Sequence, residues 1–323
     1  MTATTAVVIP APGQVTLQQV TLRQPGPDDV VIQTAYTSIS AGTERMLLAG
    51  QMPHPMLQLP VVPGYETVGQ IVALGDNVSA DWLHRWVYIG GAMCYDGINA
   101  AWGGQSATLF ADVKRVIPLD GVDPRHGTLL ALAATALHGV DLIDAHPGDR
   151  MLVLGQGPVG QLAARFLRNT GAWVAVTDCN PHRLERASAD KVINVTTADL
   201  NAEVGDPVQV IVECTGSMDA LAQALPLLTT GGTILLLGYY QTLNLPYMPL
   251  FLKEARLLTA KEWAPGDLLR CRDAIASGQL EVDSLLTHTL PIGEVVSAYE
   301  VALNDSECLK ILLDWATPPA VTQ

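Results

Sequence analysis

The sequence predicts an α/β chain in which a doubly wound parallel sheet is joined to a β-rich domain. Three observations carry this. Short apolar runs punctuated by glycine fill the first third, and a glycine-rich turn near the middle follows an apolar run and precedes an amphipathic one. Strand and helix patterns then alternate.

Taken in order, Val15, Leu17 and Val20 fall in a β-like run, and the turn Pro25-Gly26-Pro27 leads into another over Val30 to Tyr36. Gly64, Gly69, Gly75, Gly90, Gly91, Gly103 and Gly104 then separate short apolar pieces, as in a compact, irregular β domain over residues 1–125. Gly127 to Val140 reads as a buried helix, followed by the turn His146-Pro147-Gly148-Asp149. Strands are predicted at Met151–Leu154, Val174–Thr177, Val208–Val212 and Thr233–Leu237, with helices over Val159–Asn169 and Met218–Leu228. They are expected to form a parallel-sheet domain over residues 126–260. From about Lys261 the chain is expected to return to the first domain (261–323), ending in the strand Ile311 to Leu313.

A hydrophobic fraction of 49% over 323 residues suffices for two cores, and 15% charged residues argues against disorder. The formal net charge of -14 repels phosphate backbones, so no nucleic acid is expected as a partner. Cys94, Cys179, Cys214, Cys271 and Cys308 are far apart and form no CxxC pair, a pattern that suggests reduced thiols in a cytoplasmic protein. Met1 to Gly13 lacks the layout of a signal peptide. Ala220 to Leu252 carries no charge and is long enough to span a bilayer, yet Pro226, Gly231, Gly232, Pro246 and Pro249 interrupt it. It reads as a buried helix, a core strand and an apolar loop.

The strongest local signal is Gly155-Gln156-Gly157-Pro158-Val159-Gly160, set between a strand and an amphipathic helix. Gly155 permits the tight turn, Gly157 lets a pyrophosphate approach the backbone, and Gly160 lets helix and strand pack closely. The helix start, at Pro158 and Val159, offers N–H groups and a partial positive charge to phosphates. Asp178 ends the next strand, about 20 residues on, where a carboxylate accepts the ribose hydroxyls of NAD and repels the extra phosphate of NADP. Arg183 counts the other way, since it can serve that phosphate. NAD is the expected cofactor. Cys214-Thr215-Gly216 and Leu237-Gly238-Tyr239 end the later strands, where such a sheet places its ligand.

A β-rich N-terminal domain, a central dinucleotide fold and a return strand together resemble the medium-chain dehydrogenase/reductase superfamily, over nearly the whole chain. The resemblance implies a GroES-like catalytic domain beside a Rossmann domain. In zinc-dependent members a Cys comes from the segment matching Ser38 to Glu44, a His from a Gly-His-Glu triplet, and a Cys or acidic ligand from just before the cofactor domain. Here those positions fall at Ser40 or Ala41, at Tyr65 in Gly64-Tyr65-Glu66, and at about Ala131. None is a Cys, His or carboxylate, and the four-Cys structural zinc lobe is absent, so no metal is expected. Glu66 remains as a carboxylate behind the site.

More specific are Ile39-Ser40-Ala41-Gly42-Thr43-Glu44-Arg45-Met46-Leu47, Val62-Pro63-Gly64-Tyr65-Glu66-Thr67-Val68-Gly69, Leu129 to His138, and Cys308-Leu309-Lys310-Ile311-Leu312-Leu313-Asp314-Trp315. These strings resemble the bacteriochlorophyllide dehydrogenase family. That resemblance implies NAD-dependent oxidation of a 1-hydroxyethyl group on ring A of a tetrapyrrole to an acetyl group, in bacteriochlorophyll biosynthesis. It leaves a homodimer open.

On this alignment Tyr65 stands at a matched metal position and is the first candidate for the proton acceptor. A phenol with an ordinary pKa of about 10 needs a nearby positive charge to act as a base, and otherwise only packs or orients the substrate. Thr43 matches a hydroxyl relay position and equally suits a helix cap near Glu44. His138, one turn after Thr135, either ends a proton relay or is a core histidine. Thr135 matches a nicotinamide contact. Lys310 matches a pyrophosphate contact beside an acidic residue, Glu44, or is a solvated strand-end lysine. Met46, Met52, Met56, Leu57 and Leu59 suit one wall of a macrocycle cleft or plain packing, and His54 either ligates a substrate magnesium or lies on the surface. Two other readings stay open: a zinc-independent quinone or enoyl reductase, and a non-catalytic NAD-binding structural protein.

Overall fold

The computed structural model describes residues 2–53 and 57–316. The chain forms two compact units, Met1–Ala131 with Leu286–Gln323, and Leu132–Leu285.

In the first unit, Thr2–Val8 pairs antiparallel with Thr16–Leu22. A larger sheet runs Val116–Pro118, Trp86–Ile89, Thr67–Leu74, Asp29–Ser38, Ile311–Asp314, His288–Pro291, with Thr108–Asp112 also paired to Asp29–Ser38. Alternation along Asp29–Ser38 turns Val30, Ile32 and Thr34 inward. Val30 and Ile32 join Ile71, Val87, Ile89 and Leu109 in the main core. The C-terminal strand returns antiparallel to Asp29–Ser38, with Leu312 opposite Ser38 and Leu313 opposite Thr37.

That return starts at Leu286 rather than at Lys261. The helix Asp267–Ala276 stays with the second unit because it buries Cys271 and Ile275 there, and because Asp267 lies beside His138. Arg165 ties the following segment to the same unit through Ser284 at 3.0 Å and Glu281 at 3.3 Å. The helix read over Gly127 to Val140 is two helices, Pro124–Gly127 and Leu130–Asp141. The Asp123 side chain caps the first by accepting from Arg125 N–H, so that helix starts earlier than hydrophobicity indicates.

The second unit holds a six-stranded, all-parallel sheet in the order Lys191–Asn194, Trp173–Asp178, Arg150–Leu154, Val208–Glu213, Leu228–Leu236, Arg256–Thr259. Strand order reverses between Arg150–Leu154 and Val208–Glu213, and the glycine turn follows the first of these. Ligands of open α/β sheets bind at such a reversal. Leu152, Leu154, Ala175, Ile211, Ile234 and Leu236 form the core on one face.

The uncharged stretch resolves into the helix Met218–Ala224, a single tight turn Leu225–Leu227, the strand Leu228–Leu236 and a second helix, Tyr247–Leu252. The expected apolar loop thus contains a helix, and its Tyr247, Met248, Phe251 and Leu252 are exposed. No helix among the described residues is long and apolar enough to cross a membrane.

The two glycines of the turn answer to different constraints. A Cβ on Gly160 would lie 1.9 Å from the Gly155 carbonyl oxygen, whereas one on Gly157 would meet nothing within 4 Å. Gly160→Ala should therefore destabilise the protein by about 1–3 kcal/mol, the usual cost of overpacking. Gly157→Ala, at φ -65°, should leave the melting temperature nearly unchanged. Equal melting temperatures for the two variants would contradict this reading of the turn.

Candidate active site

Gly155 takes φ +87°, a conformation that side chains avoid, and turns the chain from its strand into the helix Pro158–Asn169. Open space over Gly157 leaves its backbone approachable. Asp178, at the end of the neighbouring strand, is 7% exposed. Its Oδ2 accepts Gln156 N–H at 2.6 Å and its Oδ1 accepts Asn180 N–H at 2.8 Å. The carboxylate therefore braces the glycine turn, and each oxygen keeps a second lone pair. Arg183 Nη1 lies 3.8 Å from Asp178 Oδ2, so its charge is directed at this carboxylate.

Two further loops close this end of the sheet. Buried Glu213 accepts Thr215 N–H at 2.7 Å and Gly216 N–H at 3.1 Å, together with the Thr215 hydroxyl, and so shapes Cys214-Thr215-Gly216. Burial first, then the Glu213 charge, pushes the Cys214 thiol well up, which leaves it a neutral group. Gly238 admits no side chain, since a Cβ would come 2.6 Å from Glu213 Oε2; the next residue, Tyr239, is exposed. Thr135 and His138 lie one turn apart on Leu130–Asp141, and the His138 ring sits 3.8 Å from Asp267.

In the first unit the chemistry gathers around Tyr65. Its hydroxyl lies 2.5 Å from Ser40 Oγ and 3.2 Å from Thr43 Oγ1, and its ring meets Trp102 edge-on at 5.2 Å. Thr43 is inside the helix Ala41–Leu48 and does not cap it; Ser40 holds the cap position without a side-chain cap bond. Burial, and then the Glu66 charge, push the phenol well above its ordinary range, while the Ser40 and Thr43 bonds oppose this. The charge that acts most strongly on Tyr65 is thus negative, the reverse of what an unaided phenolate base needs.

Behind the hydroxyls lies a buried charge cluster. Lys310, 2% exposed, meets Glu66 Oε2 at 2.5 Å and donates to the Ile39 carbonyl at 2.9 Å. Lys310 is therefore no solvated lysine, and the acid in contact with it is Glu66 rather than Glu44. Glu44 instead accepts Ser40 N–H at 2.9 Å and the Gln105 side-chain N–H at 3.1 Å. Burial and the Glu66 charge hold the Glu44 carboxyl well above the usual range. Glu66 Oε1 is buried with no hydrogen-bond partner among the described residues.

Sequence reasoning passed over Ser40 as a hydroxyl, and over Gln105, Trp102 and Glu213. The serine was in view as a replaced ligand position, and its place before a helix was the available signal. Gln105, Trp102 and Glu213 carry no local pattern. In the apolar segment, Met52 is core, and Met46, Leu57 and Leu59 pack against Leu47, Val61 and Ile9. His54 and Met56 lie outside the described residues. No group of three or more His, Cys, Asp or Glu suited to a metal occurs among the described residues.

Comparisons with known proteins agree with this architecture. The alcohol dehydrogenase GroES-like domain family matches residues 26–120, and the zinc-binding dehydrogenase family matches residues 158–264. The 2-desacetyl-2-hydroxyethyl bacteriochlorophyllide A dehydrogenase of Rhodobacter capsulatus is 37% identical over 97% of this chain and 98% of its own. The protein of the same name from Cereibacter sphaeroides is 33% identical, again over 97% and 98%. Benzyl alcohol dehydrogenase from Acinetobacter calcoaceticus has the same fold, with a TM-score of 0.86 at 21% identity over 98% of this chain and 100% of that one. The chain belongs to the bacteriochlorophyllide dehydrogenase family of the medium-chain dehydrogenases/reductases.

Proposed function

We propose that this dehydrogenase oxidises the 1-hydroxyethyl group of a bacteriochlorophyllide-type macrocycle to an acetyl group, with NAD as oxidant and without zinc. The observation that carries the substrate is the near-full-length match to two proteins named for that chemistry. Incubating the enzyme with NAD and a hydroxyethyl bacteriochlorophyllide should shift the macrocycle's absorption band as the acetyl group joins the conjugated system. Failure to turn over any hydroxyethyl chlorin would remove the assignment.

The dinucleotide fits the second unit: an approachable Gly157, a helix start and a braced carboxylate stand together at the sheet reversal. Bound there, the nicotinamide supplies the hydride acceptor. Gly155, Gly157, Gly160 and the start of the helix at Pro158 and Val159 hold the phosphates, and Asp178 takes the ribose hydroxyls with its remaining lone pairs. Thr135, Cys214, Thr215, Gly238 and Tyr239 are the proposed contacts to the rest of the cofactor. Arg183, 3.8 Å from Asp178, counts against a preference for NAD over NADP, since its guanidinium can serve the extra phosphate of NADP.

Tyr65 is the proposed contact to the carbinol oxygen. A carbinol on a conjugated ring loses hydride comparatively easily, because the macrocycle shares the developing positive charge. The protein then has to orient the alcohol and take its proton. Thr43 is the proposed onward carrier, and Glu66 sets the charge behind the phenol.

Zinc does not fit the residues present. The residues matched to the three ligands, Ser40 or Ala41, Tyr65 and about Ala131, include no Cys, His or carboxylate, and the Ser40 and Tyr65 hydroxyls are hydrogen-bonded to each other.

Three outcomes follow. Metal analysis of purified enzyme should find no stoichiometric zinc, and chelators should leave turnover unchanged; one zinc per chain lost together with activity would overturn the metal-free mechanism. Asp178→Ala should raise the KM for NAD at least about tenfold and narrow the preference over NADP, since charge-assisted hydrogen bonds contribute about 1.5–3 kcal/mol. Comparable use of both cofactors by the unmodified enzyme would refute this. Tyr65→Phe should cut turnover on the order of 100-fold or more while NAD affinity holds; a loss below about tenfold would make Tyr65 an orienting residue.

A further inference from the structure

We infer that Ser40 is a positioning residue for the reaction: with Thr43 it donates a hydrogen bond to the Tyr65 oxygen, stabilising the phenolate that takes the carbinol proton. This rests on the proposed reading of Tyr65 as the contact to the alcohol.

The geometry of three hydroxyls carries the inference. Ser40 Oγ at 2.5 Å and Thr43 Oγ1 at 3.2 Å converge on one phenol oxygen. That oxygen has two lone pairs and one proton. With Ser40 and Thr43 as donors, both lone pairs are occupied and the phenolic proton is left for the substrate oxygen. Ser40 stands at the first position before a helix, where a serine ordinarily caps the backbone with its side chain. Here the side chain makes no cap bond; the Glu44 carboxylate accepts the Ser40 N–H, and the Ser40 hydroxyl faces Tyr65 instead.

The electrostatics explain why such donors are needed. Glu66 on the same segment and Glu44 on the helix both act against a charged phenolate, and Lys310 is already paired with Glu66. Hydrogen bonds from neutral hydroxyls stabilise the phenolate without adding a buried charge. In the reaction, the phenol gives up its proton to water before the alcohol is seated. The carbinol O–H bond then breaks and an O–H bond forms on Tyr65, while the C–H electron pair leaves to the nicotinamide. Carbinol becomes ketone, the dinucleotide is reduced, and Tyr65 returns to the phenol.

The test uses 13C-labelled tyrosine in the full-length protein, with the Tyr65 resonance identified by its loss in Tyr65→Phe. Ser40→Ala should move the Tyr65 titration upward by about one pH unit or more. Ser40→Thr, which keeps the hydroxyl, should restore it. Ser40→Ala retains the backbone N–H bond to Glu44, so the helix keeps its start. An unchanged midpoint would overturn the inference, as would a Tyr65 that fails to titrate in the unmodified protein before it unfolds. This measurement needs no substrate, so it stands apart from the identity of the macrocycle. With a substrate in hand, Ser40→Ala should lower kcat on the order of tenfold at nearly constant KM, and have no further effect in Tyr65→Phe. Equal losses in both backgrounds would make Ser40 merely structural.

Discussion

The ion pair between Lys310 and Glu66 is the constraint on which the catalytic side of the molecule depends. Lys310 also donates to the Ile39 carbonyl, so one ammonium group holds residues adjacent to Tyr65 and to Ser40. Those two side chains are 25 positions apart in sequence, and their hydroxyls meet at 2.5 Å. The lysine itself is fixed by the strand Ile311–Asp314, which follows it directly and pairs with Asp29–Ser38. The C-terminal return therefore does more than complete a sheet: it delivers the cation that sets the two hydroxyls against each other. Two ions this deeply buried are costly unless their geometry is good, and removing one leaves the other uncompensated. The pair accordingly fixes a conformation more than it adds stability.

The same contrast between local and distant determinants marks what could be read in the sequence. The glycine turn was legible because its whole logic fits within a few residues: Gly155 for the bend, Gly157 for open backbone and Gly160 for close packing. The parallel strands were legible because buried strands are continuous apolar runs. The return point was misjudged by some 25 residues, from Lys261 to Leu286. Nothing in the local pattern of Asp267–Ala276 says which core it joins; the pairing of Asp267 with His138 and the reach of Arg165 to Ser284 decide that.

The site shows the same division. Tyr65 and Thr43 were visible by position within a matched string, yet the partner of Lys310 was not, because Glu44 and Glu66 are both acids near the right place. Only the fold distinguishes them, by engaging Glu44 with Ser40 N–H and Gln105 and leaving Glu66 to the lysine. Glu213 escaped notice for a related reason. A glutamate ending a strand looks solvated in sequence, whereas here it is fully buried and its oxygens organise the following loop.

Charge balance connects the replaced metal positions to the rest of the cluster. A zinc ion brings two positive charges to a site walled by carboxylates. The buried charged groups near Tyr65 include two acids, Glu44 and Glu66, and one lysine, Lys310. Burial and the Glu66 charge both favour the neutral form of Glu44. Glu66 is the carboxylate in contact with Lys310, so the buried lysine has its counter-charge at that position. On the proposed reading of Tyr65 as the base, its ionisation would place a further negative charge beside Glu66, and the hydroxyls converging on its oxygen would offset that charge. Hydroxyls would suit that task because they rotate: Ser40 and Thr43 can donate to a phenolate and accept from a phenol without moving a heavy atom. A metal stabilises the alkoxide permanently by its charge. On the proposed metal-free reading, a hydroxyl cradle would stabilise the base only while it is charged, and a conjugated macrocycle would ease the departure of hydride.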